Sequence, residues 1–232
     1  MRKILKMDIK DKIVIKSAMY DGVKKIGDPI EIARNIDEDN IDEIFLSNIT
    51  GSLYGYDNFK NILSQICSEV FMPITVGGGI KSLKDCEDFF SLGADKVSIN
   101  SALFDNKKLL NDVANNFGTQ SVSVLIQAKK INDEWYAFKD MARHSTGILV
   151  KDWINFCEQN GAGEIILVSV DDDGLMRGLQ YEMSKLCENL NIPVILSGVY
   201  SVKKDFNEIF KYNCFSGLTF SSYFYKNLRI IH

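Results

Sequence analysis

Histidine is scarce in this chain of 232 residues: only His144 and the C-terminal His232 are present. His144 is therefore the one realistic candidate for a Ser-His-Asp triad or a histidine-ligated metal site, and the shortage argues against both kinds of site. Acid–base chemistry would fall instead to carboxylates, lysines or tyrosines. Neither a metal nor an organic cofactor is expected.

Regularly spaced cysteine pairs are also missing. The five cysteines are scattered and form no CxxC motif, and their odd number favours reduced thiols over disulfides or a zinc site. Long apolar runs are absent too, since none approaches the roughly 18 residues needed to cross a bilayer. Asp8 interrupts the N-terminal segment where a signal peptide would stay apolar. We therefore expect a cytoplasmic protein with no membrane partner.

The charge balance is slightly acidic, with 27 Lys and Arg against 31 Asp and Glu, which argues against a nucleic-acid partner. Apolar residues make up 46% of the chain, enough for one large core. This length is close to the size at which a single α/β barrel closes. We expect residues 1–232 to form one domain.

Short runs of Ile, Val and Leu alternate with amphipathic segments, a pattern typical of βα units around a parallel sheet. Eight strands are predicted: Lys3–Asp8, Glu43–Ser47, Ile74–Gly77, Lys96–Ile99, Ser121–Gln127, Glu164–Ser169, Val194–Ser197 and Gly217–Phe220. Helices are predicted between them, such as Pro29–Ile36 with Asp28 as N-cap and Leu83–Leu92 ending at Gly93. The predicted fold class is α/β, a (β/α)8 TIM barrel.

An internal repeat supports this architecture. Two hairpin-like excursions, Lys10–Lys16 and Lys129–Phe138, follow the first and fifth predicted strands. Residues 74–101 also resemble residues 195–222, at a constant offset of 121. Similarity between βα units alone would recur about every 30 residues and would not place hairpins at the same point of each half. The pattern therefore predicts two duplicated half-barrels.

Glycines and short polar residues follow neighbouring predicted strands. Gly77, Gly78 and Gly79 lie between a strand and a helix, where backbone N–H groups and the helix N-terminus can bind an anion. Asn100 and Ser101 follow the next strand and add further short donors. A tight turn would explain the glycines alone, but the combination predicts a phosphate site.

The second half of the chain has an equivalent set at the ends of its last three strands. Its members are Asp173, Gly174, Ser197, Gly198, Ser221 and Ser222. Phosphate binding after the last two strands is usual in such barrels. Two phosphate sites at one mouth predict a small-molecule substrate with a phosphate at each end. The alternative that these are ordinary loop residues stays open, since Val199 occupies a position that suits glycine better.

Eight segments carry a resemblance to a known family: DIKDKIVIK, IGDPIEIA, DEIFLSNITGS, PITVGGGIKSL, GADKVSINSA, STGILVKDW, GAGEIILVSVDDDG and PVILSG. They resemble the cyclase subunit of imidazole glycerol phosphate synthase, the HisF family of histidine biosynthesis, from residue 2 to about residue 224. The resemblance implies a lyase of an amidotransferase complex, with a HisH-type glutaminase docked at the N-terminal face of the barrel. It implies that ammonia passes through the barrel to a doubly phosphorylated ribulosyl-formimino carboxamide substrate.

The resemblance also implies an ammonia entrance formed by four charged residues at the bottom of the barrel. Arg2, Glu43, Lys96 and Glu164 occupy those positions, each at the start of a predicted strand. Strand starts often carry charges for solubility, but here all four have the sign that the family requires. We expect them to form a ring of alternating charge.

The catalytic end departs from the family. Asp8 matches the first of two acid–base aspartates, and Lys16 on the following loop also matches, as does Thr146. Gln127 replaces the second aspartate, and glutamine cannot take up or release a proton at neutral pH. Asn48 replaces another aspartate. Small polar donors of the family are replaced by Met141 and Ala142, and a hydroxyl by Leu175. The chain ends about ten residues after Ser222, which predicts a shortened eighth helix.

Three functions remain open. The chain could be an authentic cyclase that tolerates Gln127. It could be a divergent paralogue that keeps the ammonia entrance and serves another acceptor, as do relatives that assist amidination of bacterial surface or flagellar sugars. It could instead be a non-catalytic scaffold that activates a glutaminase. Because Gln127 and Asn48 are replaced together, the paralogue is favoured.

Overall fold

A computed structural model describes residues 1–18, 21–36, 41–51, 56–173, 181–197 and 211–221. The strands in these ranges are β1 Arg2–Lys10, β2 Ile13–Ala18, β3 Asp21–Gly27, β4 Glu43–Asn48, β5 Ile74–Gly77, β6 Lys96–Ile99, β7 Val122–Ile131, β8 Glu134–Lys139, β9 His144–Leu149, β10 Glu164–Ser169, β11 Val194–Ser197 and β12 Phe215–Phe220. The helices are α1 Pro29–Arg34, α2 Asp57–Glu69, α3 Leu83–Ser91, α4 Ser101–Asp105, α5 Lys108–Phe117 and α6 Val150–Gln159, with 3-10 turns at Thr119–Ser121 and Tyr181–Leu186.

Eight parallel strands close into a barrel in the order β1-β4-β5-β6-β7-β10-β11-β12, with β12 pairing again with β1. Four of the predicted strands, β5, β6, β10 and β11, match the structure residue for residue. Their apolar runs are short and are buried along nearly their whole length, as expected for a parallel sheet covered on both faces. The predicted (β/α)8 TIM barrel is confirmed.

The two predicted excursions are antiparallel extensions of barrel strands. β1 pairs with β2 and β2 with β3, while β7 pairs with β8 and β8 with β9. The hairpins were predicted, but the third strand of each was not, because DGVKKIG and HSTGIL lack an alternating apolar pattern. The same three-stranded unit in each half supports duplication of a half-barrel.

The helix ends follow local capping chemistry. Asp28 accepts hydrogen bonds from the backbone N–H groups of Ile30 and Glu31, as predicted. That helix ends at Arg34, two residues before its predicted end. Ser82 and Asp85 form a reciprocal capping box at the start of α3. Gly93, just past the end of α3, adopts φ +102°, the conformation that stops helices at glycine.

The core has two parts, which the alternation of side chains along each strand separates. A large cluster lies between strands and helices and includes Leu5, Met7 and Ile9 of β1. A small cluster inside the barrel contains Ile4, Phe45, Ile166 and Ile195, with Leu125 packed against it. Because Ile4 belongs to the inner cluster and side chains alternate along a strand, the even-numbered residues of β1 face the barrel interior, which we call the lumen.

Several sequence predictions fall outside the described residues, among them Gly174, Leu175, Gly198, Val199, Ser222 and the eighth helix.

All five cysteines are free thiols, and burial raises the pKa of Cys86 and of Cys187 to about 12. No helix in the described ranges is long and apolar enough to cross a membrane. The same ranges contain no group of three or more side chains that could hold a metal ion.

Candidate functional site

Four charged side chains meet at the N-terminal ends of the barrel strands. Lys96 Nζ lies 2.9 Å from Glu43 Oε2 and 3.5 Å from Glu164 Oε1. Arg2 Nη1 lies 3.0 Å from Glu43 Oε2, and Arg2 Nη2 donates to Glu164 Oε2. The structure thus joins all four predicted entrance residues into a closed ring of alternating charge.

The ring is tightly held. Thr75 Oγ1, from β5, donates to Glu43 Oε1 at 2.6 Å, and both carboxylates are buried. Burial opposes the charge on Arg2, but the neighbouring Glu164 and Glu43 carboxylates raise its pKa above the usual value. A buried charge in such a cluster is stable only while it stays paired. Separating any one of these pairs would therefore leave a buried charge without its partner.

Directly above the ring, the lumen is lined by an apolar collar. Its members are Ile4, Phe45, Leu125, Ile166 and Ile195. A Cβ atom added to Gly77 would lie 2.9 Å from the Phe45 ring, and one added to Gly217 would lie 2.9 Å from Ile195 Cδ1. The two glycines thus make room for the collar. The predictions did not include these residues, because β1 and β4 are buried almost continuously and their apolar runs do not show which side chains face inward.

At the C-terminal end of β1, Asp8 faces the mouth of the barrel. Its Oδ1 atom lies 3.0 Å from Lys6 Nζ, and both side chains are buried. Lys16 of β2 lies close by, with Nζ 3.9 Å from Asp173 Oδ1. The structure therefore places two ion pairs at the mouth, and Lys6 was not among the predicted site residues.

Gln127 lies across the barrel from Asp8, because β7 is four strands away from β1 in either direction. Its side chain is buried, and Oε1 accepts a hydrogen bond of 3.0 Å from the backbone N–H of Ala142. Asp140, Met141 and Ala142 all have positive φ, a left-handed turn that brings this N–H back over the strand. The amide thus anchors the loop after β8.

The first predicted phosphate site is a close-packed glycine turn. Gly78 and Gly79 have φ of +96° and +82°, and a Cβ on Gly78 would lie 2.0 Å from the carbonyl oxygen of Asn48. Tyr56 donates its hydroxyl hydrogen to Gly79 O. Burial raises the pKa of Tyr56, so this hydroxyl stays protonated. Asn48 Oδ1 accepts from the backbone N–H and the hydroxyl of Thr50.

Asn100 and Ser101 lie beside this turn. Asn100 precedes α4 without capping it, and its Oδ1 atom is buried with no hydrogen-bond partner. Ser101 Oγ accepts from the backbone N–H of Asp140 at 2.9 Å. The hydroxyl of Ser101 therefore connects the first predicted phosphate site to the loop that Gln127 anchors.

Of the second predicted phosphate site, Asp173, Ser197 and Ser221 lie in the described ranges. Asp173 is buried and paired with Lys16. Ser197 Oγ accepts from Thr219 Oγ1 at 2.6 Å, so its hydroxyl is held against the next strand. Ser221 is half-buried just beyond β12.

Two further polar residues have structural contacts. Thr146 donates its hydroxyl hydrogen to Ala137 O at 2.7 Å, which holds β9 against β8. His144 is exposed, and its Nδ1 atom lies 3.2 Å from Asp140 Oδ2. His144 therefore lies at the exposed start of β9 rather than in a catalytic triad.

Fold and site together define a class: a parallel (β/α)8 barrel whose lumen runs from a ring of paired charges to a mouth with glycine turns and buried carboxylates. The chain matches the family model described as "Histidine biosynthesis protein" over residues 4–229. It therefore belongs to the histidine biosynthesis protein family.

Within this family the chain is HisF-like. It is similar to proteins named imidazole glycerol phosphate synthase subunit HisF from several organisms. The one from Legionella pneumophila is 39% identical over 208 residues, covering 89% of this chain and 98% of that protein. The one from Helicobacter hepaticus is 36% identical over 225 residues, covering 97% and 90%. The one from Lactococcus lactis subsp. cremoris is 40% identical over 223 residues, covering 94% and 86%.

Proposed function

We propose that the chain is the cyclase-like acceptor subunit of a glutamine amidotransferase. Ammonia enters through the charged ring, crosses the apolar collar and adds to a phosphorylated substrate at the mouth. The closed ring formed by Arg2, Glu43, Lys96 and Glu164 carries the proposal. Apolar residues of similar volume are often at least as stable as a buried ion pair, so stability alone does not account for the ring, and this favours a functional role.

The proposed partner is a HisH-type glutaminase bound at the N-terminal face. The relatives are named as subunits of a synthase, which supports a complex. Phe71, in the loop between α2 and β5, is 94% exposed, whereas its neighbours Val70 and Met72 pack into the core. This loop precedes a barrel strand and so lies at the same end of the barrel as the ring. Exposed aromatic side chains are typical anchors of protein interfaces.

Replacing this anchor tests the docking face. We expect Phe71→Asp to weaken binding of the co-purified glutaminase at least about tenfold, because burying an unpaired carboxylate in an interface is costly. Val23→Asp is the matched control, since Val23 is also an exposed apolar residue, at 56%, but follows the C-terminal end of β1. The measurement is isothermal titration calorimetry of each variant with the glutaminase. Equal affinities for wild type and Phe71→Asp would contradict docking at this face.

The acceptor is proposed to differ from the substrate of the authentic cyclase. Gln127 cannot exchange protons at neutral pH, and its Oε1 atom accepts a hydrogen bond from Ala142. Loss of a positioned acid–base group typically lowers the rate about 10²- to 10⁴-fold. A phosphorylated sugar precursor of a bacterial surface or flagellar glycan is the proposed class of acceptor. In this proposal Asp8 is the remaining acid–base carboxylate, and the glycine turn beside Asn100 binds a phosphate.

A turnover assay separates this function from the two alternatives. The purified complex is given the ribulosyl-formimino carboxamide substrate with either glutamine or ammonium chloride. We expect background rates with both nitrogen sources, and Gln127→Asp should restore little because Asn48 also departs from the family. Efficient cyclisation would establish the authentic cyclase instead. A glutaminase that is activated by the barrel, with no amidated product from any acceptor, would favour the scaffold.

A further inference from the structure

Lys6 is a buried cation in the lumen that the proposed reaction does not yet use. Side chains alternate along a strand, so Lys6 lies on the same face of β1 as Ile4 of the apolar collar and Asp8 of the mouth. Lys6 precedes Asp8 by two residues, so it is the next lumen-facing residue of β1 in the direction of the ring. Lys6 is also the register partner of Phe45 of the collar, so ammonia that follows the lumen would meet Lys6 beside the collar and immediately before the mouth.

The contact between Lys6 and Asp8 is close and shielded from water. Lys6 Nζ lies 3.0 Å from Asp8 Oδ1 and 3.3 Å from Asp8 Oδ2, so the ammonium spans both carboxylate oxygens. The side chains are 9% and 8% exposed. Of the ion pairs formed by the described residues, only the pair of Lys6 and Asp8 has both side chains less than a tenth exposed. Such pairs are far more costly to break than surface pairs, because the remaining charge stays buried.

Among the described residues, the other charged groups on the neighbouring strands have ion-pair partners of their own. From β2, Lys16 faces Asp173 across the mouth. From β4, Glu43 belongs to the ring at the opposite end of the lumen. The lumen-facing residues of β12, Gly217 and Thr219, carry no charge. Within the described ranges, Lys6 is therefore the cation that pairs with Asp8.

We propose that Lys6 is a positioning residue that holds Asp8 as an oriented carboxylate where the lumen opens into the mouth. This inference rests on the proposed function. The nitrogen lone pair of ammonia forms a bond to an electrophilic carbon of the acceptor, whose π electrons move to the attached oxygen or nitrogen. The new ammonium group gives a proton to Asp8, the acceptor heteroatom takes one from water, and the protonated Asp8 returns its proton to the resulting hydroxide.

In this way Lys6 compensates for the loss of one carboxylate from the mouth, where Gln127 replaces the second aspartate of the family. Gln127 on the opposite wall cannot accept the proton, so Asp8 must be ionised whenever ammonia arrives. A buried carboxyl without a cation tends to become neutral. A fixed ammonium below it keeps the base form and leaves the side of the carboxylate that faces the mouth to receive the proton.

Two variants test the role of the charge. Lys6→Met removes the charge with little change in volume, and Lys6→Arg keeps it; Lys6→Gln replaces Lys6→Met should the latter yield no folded protein. The first measurement is the ionisation of Asp8, followed as the carboxyl ¹³C signal of aspartate-labelled barrel and assigned with Asp8→Asn. We expect the titration midpoint to rise by about one pH unit or more in Lys6→Met and to stay close to wild type in Lys6→Arg. An unchanged midpoint in Lys6→Met overturns the inference.

The second measurement is incorporation of nitrogen from ¹⁵N-ammonium chloride, using small-molecule extract of the source cells as the acceptor pool. At neutral pH, Lys6→Met should form at least about tenfold less product than wild type. This deficit should shrink as the pH rises, with Lys6→Arg close to wild type throughout. A deficit equal at every pH indicates a merely structural role and overturns the inference. Absence of labelled product from wild type, with the titration difference present, refutes the proposed function and leaves the charge pairing standing.

Discussion

Gly78 is the residue at which the first proposed phosphate site depends most directly on backbone shape. Its φ of +96° is a backbone conformation that glycine adopts readily and other residues rarely adopt. A Cβ atom added to Gly78 would lie 2.0 Å from the carbonyl oxygen of Asn48. The same close approach brings the loop after β4 against the turn after β5. The two loops therefore leave no room for a side chain at the proposed phosphate site.

Substitution of Gly78 should therefore strongly destabilise the folded chain. We expect Gly78→Ala to lower the free energy of unfolding by about 2 to 5 kcal/mol, from the left-handed backbone together with the steric overlap. Gly147→Ala is the control, since Gly147 also has positive φ, +71°, but nothing within 4 Å of an added Cβ; it should cost only about 1 to 2 kcal/mol. Urea denaturation of both variants measures the difference. Equal losses would show that the close approach contributes nothing.

Single residues differ in how far the sequence predicts their surroundings. The ring of Arg2, Glu43, Lys96 and Glu164 could be anticipated, because each residue begins a strand and parallel strands begin at one end of a barrel. The partner of Gln127 could not, since it is a backbone N–H presented by three consecutive left-handed residues that are not glycine. Lys6 was missed because a lysine next to apolar residues on a strand is ordinarily taken to face solvent.

Among the structural elements, α2 and α3 are joined by a small network of charges on the outside of the barrel. Asp88 of α3 lies 2.7 Å from Lys60 Nζ of α2 and 2.6 Å from Lys84 Nζ of its own helix. Hydrogen bonds from Lys60 and then Lys84 lower the pKa of Asp88 to about 2. The lowered pKa means that the pairing stabilises the folded chain only while Asp88 is ionised.

The contribution of Asp88 to the stability of the folded chain decreases in acid. The folded state holds the Asp88 proton less tightly than the unfolded state, whose pKa is near 3.8, so the stabilisation is complete above that pH and is lost as the pH falls towards 2. We expect Asp88→Asn to be less stable than wild type at pH 7 and the difference to vanish near pH 2. Glu87→Gln is the control, because Glu87 lies 3.8 Å from Lys84 and contacts no residue of α2 through an ion pair. Thermal unfolding between pH 2 and 7 measures both, and a pH-independent difference would exclude the charge as its cause.

The barrel strands were predictable to within one or two residues at each end, except that β7 extends four residues beyond its predicted end at Gln127, and four strands were predicted at their full bounds. The exceptions are informative. β3 and β9 pair on only one side, at the edges of the two antiparallel extensions, so neither needs the apolar run that marks a barrel strand. α1 ends early because Asn35 turns out of the helix and donates its side-chain amide hydrogen to Glu31 O.

On the scale of the whole molecule, β1 spans the proposed reaction path. Arg2 of the ring, Ile4 of the collar, Lys6 and Asp8 of the mouth follow one another on its lumen face. At about 3.3 Å per residue, the path from Arg2 to Asp8 is about 20 Å along the strand. A charged entrance, an apolar passage and a charged exit in this order suit a small neutral molecule such as ammonia better than an ion, which would lose its hydration in the collar.

Isotope competition tests passage through the lumen most directly. The complex with its glutaminase is given amide-¹⁵N-glutamine, small-molecule extract and an excess of unlabelled ammonium chloride, and phosphorylated products are analysed by mass spectrometry. We expect an amidated product that keeps the glutamine label in wild type, whereas Arg2→Ala or Lys96→Ala should dilute the label by opening the entrance to bulk ammonia. A wild-type product whose label is already diluted to the level of the bulk ammonium would contradict transfer through the barrel.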